Sequence, residues 1–179
     1  MDYKLKYFKY LDKTGGAVPT SLVEQLNEDD HRLIYAAKVF GLDDKHLDDE
    51  SYNLVAAMLH ENGTIVYGLA VRSPLSSSEV HGEEAVISQA RIYDHDSTKF
   101  KSLVCITKKE KFKSPCGSCR ELLKHHYPNL DIIVPDVTDP ENFEKLVKIK
   151  SKYLLPYPYQ NGDIRPESKI DDSIQVVKI

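Results

Sequence analysis

Hydrophobic positions along this chain change period several times, and each change marks an element. From Arg32 to Phe40, the residues Leu33, Ile34, Ala36, Ala37 and Phe40 recur at helical spacing, with Asn27 placed to cap and Gly41 placed to stop the helix. Two strand-like runs follow, SYNLVAAML (51–59) and TIVYGLAV (64–71), separated by His60-Glu61-Asn62-Gly63. The Asn-Gly pair predicts a tight type I′ hairpin turn. PLSSS (74–78) reads as a loop. A helical pattern returns from Gly82 to Ile92, with Ala85, Val86, Ser88, Gln89 and Ala90 forming a small, packable face. SLVCIT (102–107) is a strand and KKEKFK (108–113) a basic surface turn. Gly117 to His126 forms the next helix, ended by Pro128, and DIIVP (131–135) is a short buried strand. A helix near Asn142–Val147 and a tail from Lys152 complete the reading.

The predicted order is α-β-β-α-β-α-β-α. Strands joined through helices become parallel neighbours, whereas the opening hairpin is antiparallel, so a mixed sheet sandwiched by helices is expected. Thr14-Gly15-Gly16 and Pro19 separate an N-terminal arm, residues 1–20, from a main domain at 21–159 in which Thr20 or Ser21 caps a short first helix. The polar stretch 160–179 is assigned as a C-terminal tail, whose last six residues could add a strand.

Composition narrows the function. The 179 residues are enough for a core without staples, and 41% apolar and 29% charged residues are ordinary globular values. A net charge of −4 advertises no large basic surface, so no nucleic-acid partner is expected and small molecules are the favoured substrates. The three cysteines, 105, 116 and 119, do not form a secreted disulfide framework. No apolar run approaches the roughly 18 residues of a membrane helix, so no membrane partner is expected and the cytoplasm is the expected location.

Two segments carry the chemistry, Val80-His81-Gly82-Glu83-Glu84-Ala85 and Ser114-Pro115-Cys116-Gly117-Ser118-Cys119-Arg120. Each follows a loop and opens a predicted helix. Two thiols three positions apart at a helix start can face one ion, and the positive end of the helix favours their thiolate forms. Cys116, Cys119 and His81 together suit Zn²⁺ with a fourth position left open to water. Glu83, two residues beyond His81, falls beside such a metal without ligating it. There it can take a proton from water and hand it to a leaving amine, as hydrolytic deamination requires. Cys116 and Cys119 alone also admit a redox motif or half of a structural zinc site. The other histidines read as surface or packing residues, Cys105 as a buried small hydrophobe and Glu84 as a solvated acid. Arg120 reads as a donor to a cysteine thiolate or as a surface salt bridge.

The pairing of H-x-E with P-C-x-x-C is the signature of zinc deaminases. From about Ser51 to Tyr159 the chain resembles the cytidine deaminase family, including small members of the blasticidin-S deaminase type. LVAAML…ENGTIVYGLAV (54–71), HGEEAVISQA (81–90), SPCGSCRELL (114–123) and YLLPYPY (153–159) carry the resemblance. It implies a three-layer α/β/α sandwich with a mixed five-stranded sheet, Zn²⁺ held by His81, Cys116 and Cys119, and Glu83 as proton shuttle. It also implies that backbone groups at Gly82 and Ser114 grip a pyrimidine, and that the protein is a homo-oligomer, a dimer or tetramer. The implied reaction converts a cytosine-bearing nucleoside to its uracil form with release of ammonia.

The chain departs from that pattern around the sugar. Nucleoside deaminases of the family carry an Asn and a Glu two apart on the second strand, whereas the matching positions here are Ala70 and Arg72. The loop from Gly68 to His81 is about two residues longer than usual. Asn53 replaces an aromatic that packs on the base, unless Tyr52 takes that role, and Glu84 stands where many members have Arg. Arg72 suits an anionic substituent, since guanidinium pairs with carboxylate or phosphate. Two alternatives therefore stand beside plain cytidine deamination. One is a deaminase of a different amino-heterocycle, such as an antibiotic or modified nucleoside. The other is a non-catalytic zinc-binding relative.

Overall fold

Alternating side chains on five strands build two cores, one on each face of a single sheet. The computed structural model describes residues 22–41, 54–75, 78–136, 145–155 and 159. In chain order the elements are α1 (Glu28–Gly41), β1 (Leu54–His60), β2 (Ile65–Leu69), α2 (Gly82–Tyr93), β3 (Phe100–Thr107), α3 (Gly117–His126), β4 (Asp131–Pro135), β5 (Leu146–Lys150) and the short α4 (Ser151–Leu154). The sheet order is β2-β1-β3-β4-β5. Only β3 and β4 run parallel; the other neighbours are antiparallel. Val55, Ala57, Leu59, Val104, Ile106 and Ile133 face α1, where they meet Leu33 and Ala37. The residues between them, among them Ala56, Met58, Leu103, Cys105 and Ile132, face α2 and α3 through Val86, Ala90 and Leu123. This is the expected three-layer α/β/α arrangement. Each fully buried aliphatic side chain contributes about 1.5–3 kcal/mol to holding the layers together.

Local chemistry explains the ends of the elements. Asn27 Oδ1 accepts from Asp30 N–H at 3.0 Å and Asp30 Oδ2 accepts from Asn27 N–H at 2.9 Å, a reciprocal cap that starts α1 four residues earlier than its apolar pattern does. The hairpin turn differs from type I′. Gly63 has φ of 87°, while Asn62 lies outside the positive-φ region. Gly63 N–H donates to His60 O, and His60 N–H to Thr64 O. That is a turn at Glu61-Asn62 followed by a left-handed glycine, so the asparagine serves instead through its side chain, accepting from Thr64 N–H at 3.0 Å. On α2 the buried face is Glu83, Val86, Ile87 and Ala90, while Ser88 and Gln89 are exposed.

The helix expected near Asn142–Val147 is replaced by the edge strand β5 where it is described, with Val147 and Ile149 buried against the helices. Lys148 points to the opposite face. Its ammonium is buried between Asp30 at 3.0 Å and Asp131 at 3.7 Å, tying β5 to α1 and β4. The alternation is apolar-charged-apolar, and the charge is paired rather than solvated, which hid the strand. Ser151–Leu154 is a helical turn instead of tail; Ser151 Oγ donates to Tyr127 O at 2.6 Å and Leu123 O at 3.2 Å, satisfying carbonyls at the end of α3. The assigned arm 1–20, the tail 160–179 and Asn53 lie outside the described residues. Among the described residues no helix is long and apolar enough to cross a membrane.

Candidate metal centre and its cavity

Two irregular connections deliver the site. After β2, Val71 and Val80 exchange backbone hydrogen bonds at 2.8 and 3.0 Å, closing a two-stranded ribbon that leads straight into α2. After β3 the chain turns at Lys108–Glu110, with Glu110 at φ 56°, and returns beside its own strand. Ile106 bridges to Phe112, and Lys113 N–H donates to Cys105 O at 3.0 Å. That return sets Ser114 to Cys116 against the ribbon and starts α3. Helix α2 is seated very close to the sheet. A Cβ on Gly68 would lie 2.2 Å from Val86 N and 2.4 Å from Gly82 O; one on Gly82 would lie 2.6 Å from a Leu54 methyl. Glycine at both places lets the first turn of α2, with His81 and Glu83, press onto β1 and β2.

His81, Cys116 and Cys119 converge. His81 Nδ1 lies 3.2 Å from Cys116 Sγ and 3.3 Å from Cys119 Sγ, and the two sulfurs are 3.5 Å apart. Ligands at ordinary Zn–S and Zn–N bond lengths in a tetrahedron would be about 3.5–3.8 Å apart, so these three atoms need to spread only slightly to hold such an ion. Among the described residues no other group of three or more His, Cys, Asp or Glu side chains is so arranged. Glu84 accepts from His81 N–H at 2.9 Å and fixes the backbone of that histidine, a role hidden in the reading of Glu84 as a solvated acid. Among the described residues Arg120 bonds neither a thiolate nor an acid. It donates to Pro115 O at 2.7 Å, to Ser114 Oγ at 3.1 Å and to Leu154 O at 3.4 Å, pinning the cysteine loop to the turn after β5.

The electrostatics suit a cation. Burial raises the Cys116 thiol, but the Ser118 hydroxyl, the Cys119 N–H and side chain, and His81 outweigh it and bring Cys116 down to about 7. Cys119 is fully buried and pushed well up by that burial, then by the charge of Glu83 and by Cys116. Burial lowers His81, yet its contact with Cys116 and the charges of Cys116, Glu84 and Glu83 raise it overall. Cys105, completely buried, is raised far above an ordinary thiol by burial first and then by the nearby Glu83 carboxylate. Negative charge crowds this spot, and a divalent cation would relieve it.

A cavity of about 290 Å³ opens beside the three donor atoms. Glu83, 5% exposed, lies on its floor with buried Gly82, and His81, Cys116 and Ser114 also line it. Ala70 and Arg72 line it too, so every sequence-predicted site residue among the described ones lines this cavity except Cys119, which is buried behind it. Glu79, Thr107 and Lys113 line it as well and were not singled out from the sequence. The Val71–Val80 pairing, which brings Glu79 in, depends on loop register rather than on periodicity.

No family model matches the chain, and no curated protein matches it. Solved structures do. Cytidine deaminase from Burkholderia pseudomallei is 18% identical, with a TM-score of 0.56 over 75% of this chain and 100% of its own. Cytidine deaminase from Mycobacterium tuberculosis is 21% identical, with a TM-score of 0.54 over 75% of this chain and 99% of its own. The enzyme from Bacillus anthracis is 21% identical, with a TM-score of 0.54 over 74% and 90%. The mixed five-stranded sheet with helices on both faces is thus shared along nearly the whole length of these proteins, and the chain has the fold of the cytidine deaminases.

Proposed function

We propose that the chain is a zinc-dependent hydrolytic deaminase acting on a cytosine-bearing nucleoside or a close relative. The observation that carries this reading is the convergence of His81 Nδ1 and the two sulfurs within 3.5 Å of one another, on a cavity whose floor holds Glu83. The likeness to solved cytidine deaminases supports it. Zinc held by His81, Cys116 and Cys119 would supply a Lewis acid that lowers the pKa of a water molecule. The chain's own residues account for the rest. The Glu83 carboxylate accepts a proton from water as its oxygen adds to the amino-bearing carbon. It then returns that proton to the departing nitrogen, so that ammonia leaves, and the proton left on the added oxygen passes to the ring nitrogen, leaving a carbonyl. Burial of Glu83 keeps that proton away from bulk solvent. Gly82 and Ser114 stand where backbone groups can hold a flat ring over it.

The test is ammonia release across a panel of aminopyrimidines and aminopurines, with metal content measured on the same preparations. The expected result is one zinc per chain and turnover of at least one cytosine compound. Glu83→Gln should keep the metal and lose about 10²–10⁴-fold in rate. Full activity of that variant, or no ammonia from any compound, would refute the reading; bound zinc without turnover would indicate a non-catalytic relative.

A further inference from the structure

The ribbon that leads into α2 has a second consequence. Because Val71 pairs with Val80, the antiparallel register sets Ala70 opposite His81 and Arg72 opposite Glu79. Residues two apart on a strand share a face, so Ala70, Arg72, Glu79 and His81 belong to one side of the ribbon; all four line the cavity, as do Val71 and Val80 between them. Arg72 therefore stands two residues, about 7 Å, further from the metal-binding end than Ala70. That span is comparable with crossing an aminopyrimidine ring from its reacting carbon to the substituent on the far side.

The opposite wall supplies a second cation. Lys113 lines the same cavity just before Ser114. Arg72 and Lys113 are exposed while Gly82 and Glu83 are buried, so the two cations stand at the rim and the carboxylate at the floor. Among the described residues, Arg72, Glu79 and Lys113 make no side-chain hydrogen bond or ion pair. Arg72 is thus not neutralised by the facing Glu79. Ala70 offers no polar group to a sugar hydroxyl.

Resting on the deaminase reading above, we infer that the substrate carries an anion on the substituent beyond its aminopyrimidine ring. Arg72 and Lys113 hold that anion from opposite walls, and Glu79 accepts a hydrogen bond from a hydroxyl or amine on the same substituent. Guanidinium offers two parallel donors to a carboxylate or a phosphate, and an ammonium adds charge without demanding one geometry. Both anions fit this chemistry, and the substrate panel separates them.

The experiment compares cytidine, cytidine 5′-monophosphate and the 5′-carboxylate analogue of cytidine with the zinc-loaded chain. Ammonia release is measured for wild type, Arg72→Ala and Lys113→Ala, and equilibrium binding of the same three compounds is measured calorimetrically on Glu83→Gln protein with and without Arg72→Ala. At least one anionic compound should exceed cytidine by about tenfold or more in kcat/KM and in affinity, the worth of one charged pair of hydrogen bonds. Arg72→Ala should remove that advantage, mainly through KM, by lowering kcat/KM for the anionic compound about tenfold more than for cytidine; Lys113→Ala should remove part of it. The advantage should also shrink with added salt. If cytidine reacts as well as both anions, or if Arg72→Ala leaves the anionic compounds unaffected, this inference falls and the deaminase reading stands. If no cytosine compound binds or reacts, both fall together.

Discussion

Substituting Gly68 by alanine tests whether the seating of α2 on the sheet builds the site. The new Cβ would stand 2.2 Å from Val86 N, 2.4 Å from Gly82 O and 2.8 Å from Ala85 C, all of them backbone atoms of one helix. Ordinary contact begins near 3.4 Å, so α2 must retreat by about 1.2 Å, and no flexible side chain can absorb the shift. Overpacking of this kind costs about 1–3 kcal/mol, and the backbone clash puts Gly68→Ala at the upper end. For a chain of this length that corresponds to a fall of roughly 6–12 °C in melting temperature. His81 rides on the first turn of α2, whereas Cys116 and Cys119 ride on α3. A displacement of about an ångström exceeds the roughly 0.2 Å tolerance of metal-ligand distances, so zinc affinity should fall by about 10–100-fold. Gly117→Ala is the control, because a Cβ there meets nothing within 4 Å, and alanine in a helix is neutral or stabilising by up to about 1 kcal/mol. Melting curves recorded in chelator, followed by zinc competition against a colorimetric chelator, separate the two effects. A Gly68→Ala protein that melts with the wild type and binds zinc as tightly would refute the claim that α2 is held against the sheet at this residue.

Two further outcomes follow from buried charge and thiol chemistry. Lys148→Met should lose about 3–5 kcal/mol by leaving Asp30 buried without its cation, and adding Asp30→Leu should restore much of it. Burial lowers the Lys148 pKa, but Asp30 and Asp131 raise it overall, so its contribution is complete below about 10.4 and is lost only as pH rises through the higher folded value. Melting temperatures of wild type and Lys148→Met measured from pH 7 to 11 should therefore converge only at the alkaline end. In metal-free protein, alkylation of Cys116 should follow a midpoint near pH 7 rather than 9.0, while Cys119 and Cys105 resist. Peptide mass spectrometry after timed iodoacetamide labelling reads all three. Ser118→Ala should move the Cys116 midpoint upward, and a wild-type midpoint near 9.0 would contradict the geometry.

The parts of this molecule written in strong local patterns were legible before any coordinates. A mixed sheet sandwiched by helices, α3 from Gly117 to His126 and β4 from Asp131 to Pro135 follow from period, caps and breakers, while the five-stranded, three-layer form is implied by the family resemblance. The convergence of His81 with the two cysteines is announced by the H-x-E and P-C-x-x-C signature, whose donor types suit one ion. Much of what escaped has one physical cause: a charged or polar side chain satisfied by a protein partner instead of by water. Lys148 made β5 look unlike a strand because its ammonium is matched by Asp30, 118 positions earlier. Glu84 looked solvated because its acceptor role is toward the backbone of His81. Arg120 could not be assigned because its partners include a carbonyl beyond β5.

The same distinction separates what the site does from what it acts on. The candidate metal ligands and Glu83 sit at helix starts, where local caps and glycine seats fix them, and short motifs suffice to announce them. The cavity rim is set by register, the pairing of Val71 with Val80 and the return of 111–113 beside Cys105–Thr107. Slipping the ribbon by one residue would turn Arg72 and Glu79 outward and leave His81 misdirected, since side chains alternate between faces. On the proposed deaminase reading, His81 and the residues read as choosing the substrate therefore depend on one ribbon with a single register. A variant with residues inserted between positions 73 and 78 that preserves that register should keep both, whereas one that shifts the register should lose zinc and anion preference together.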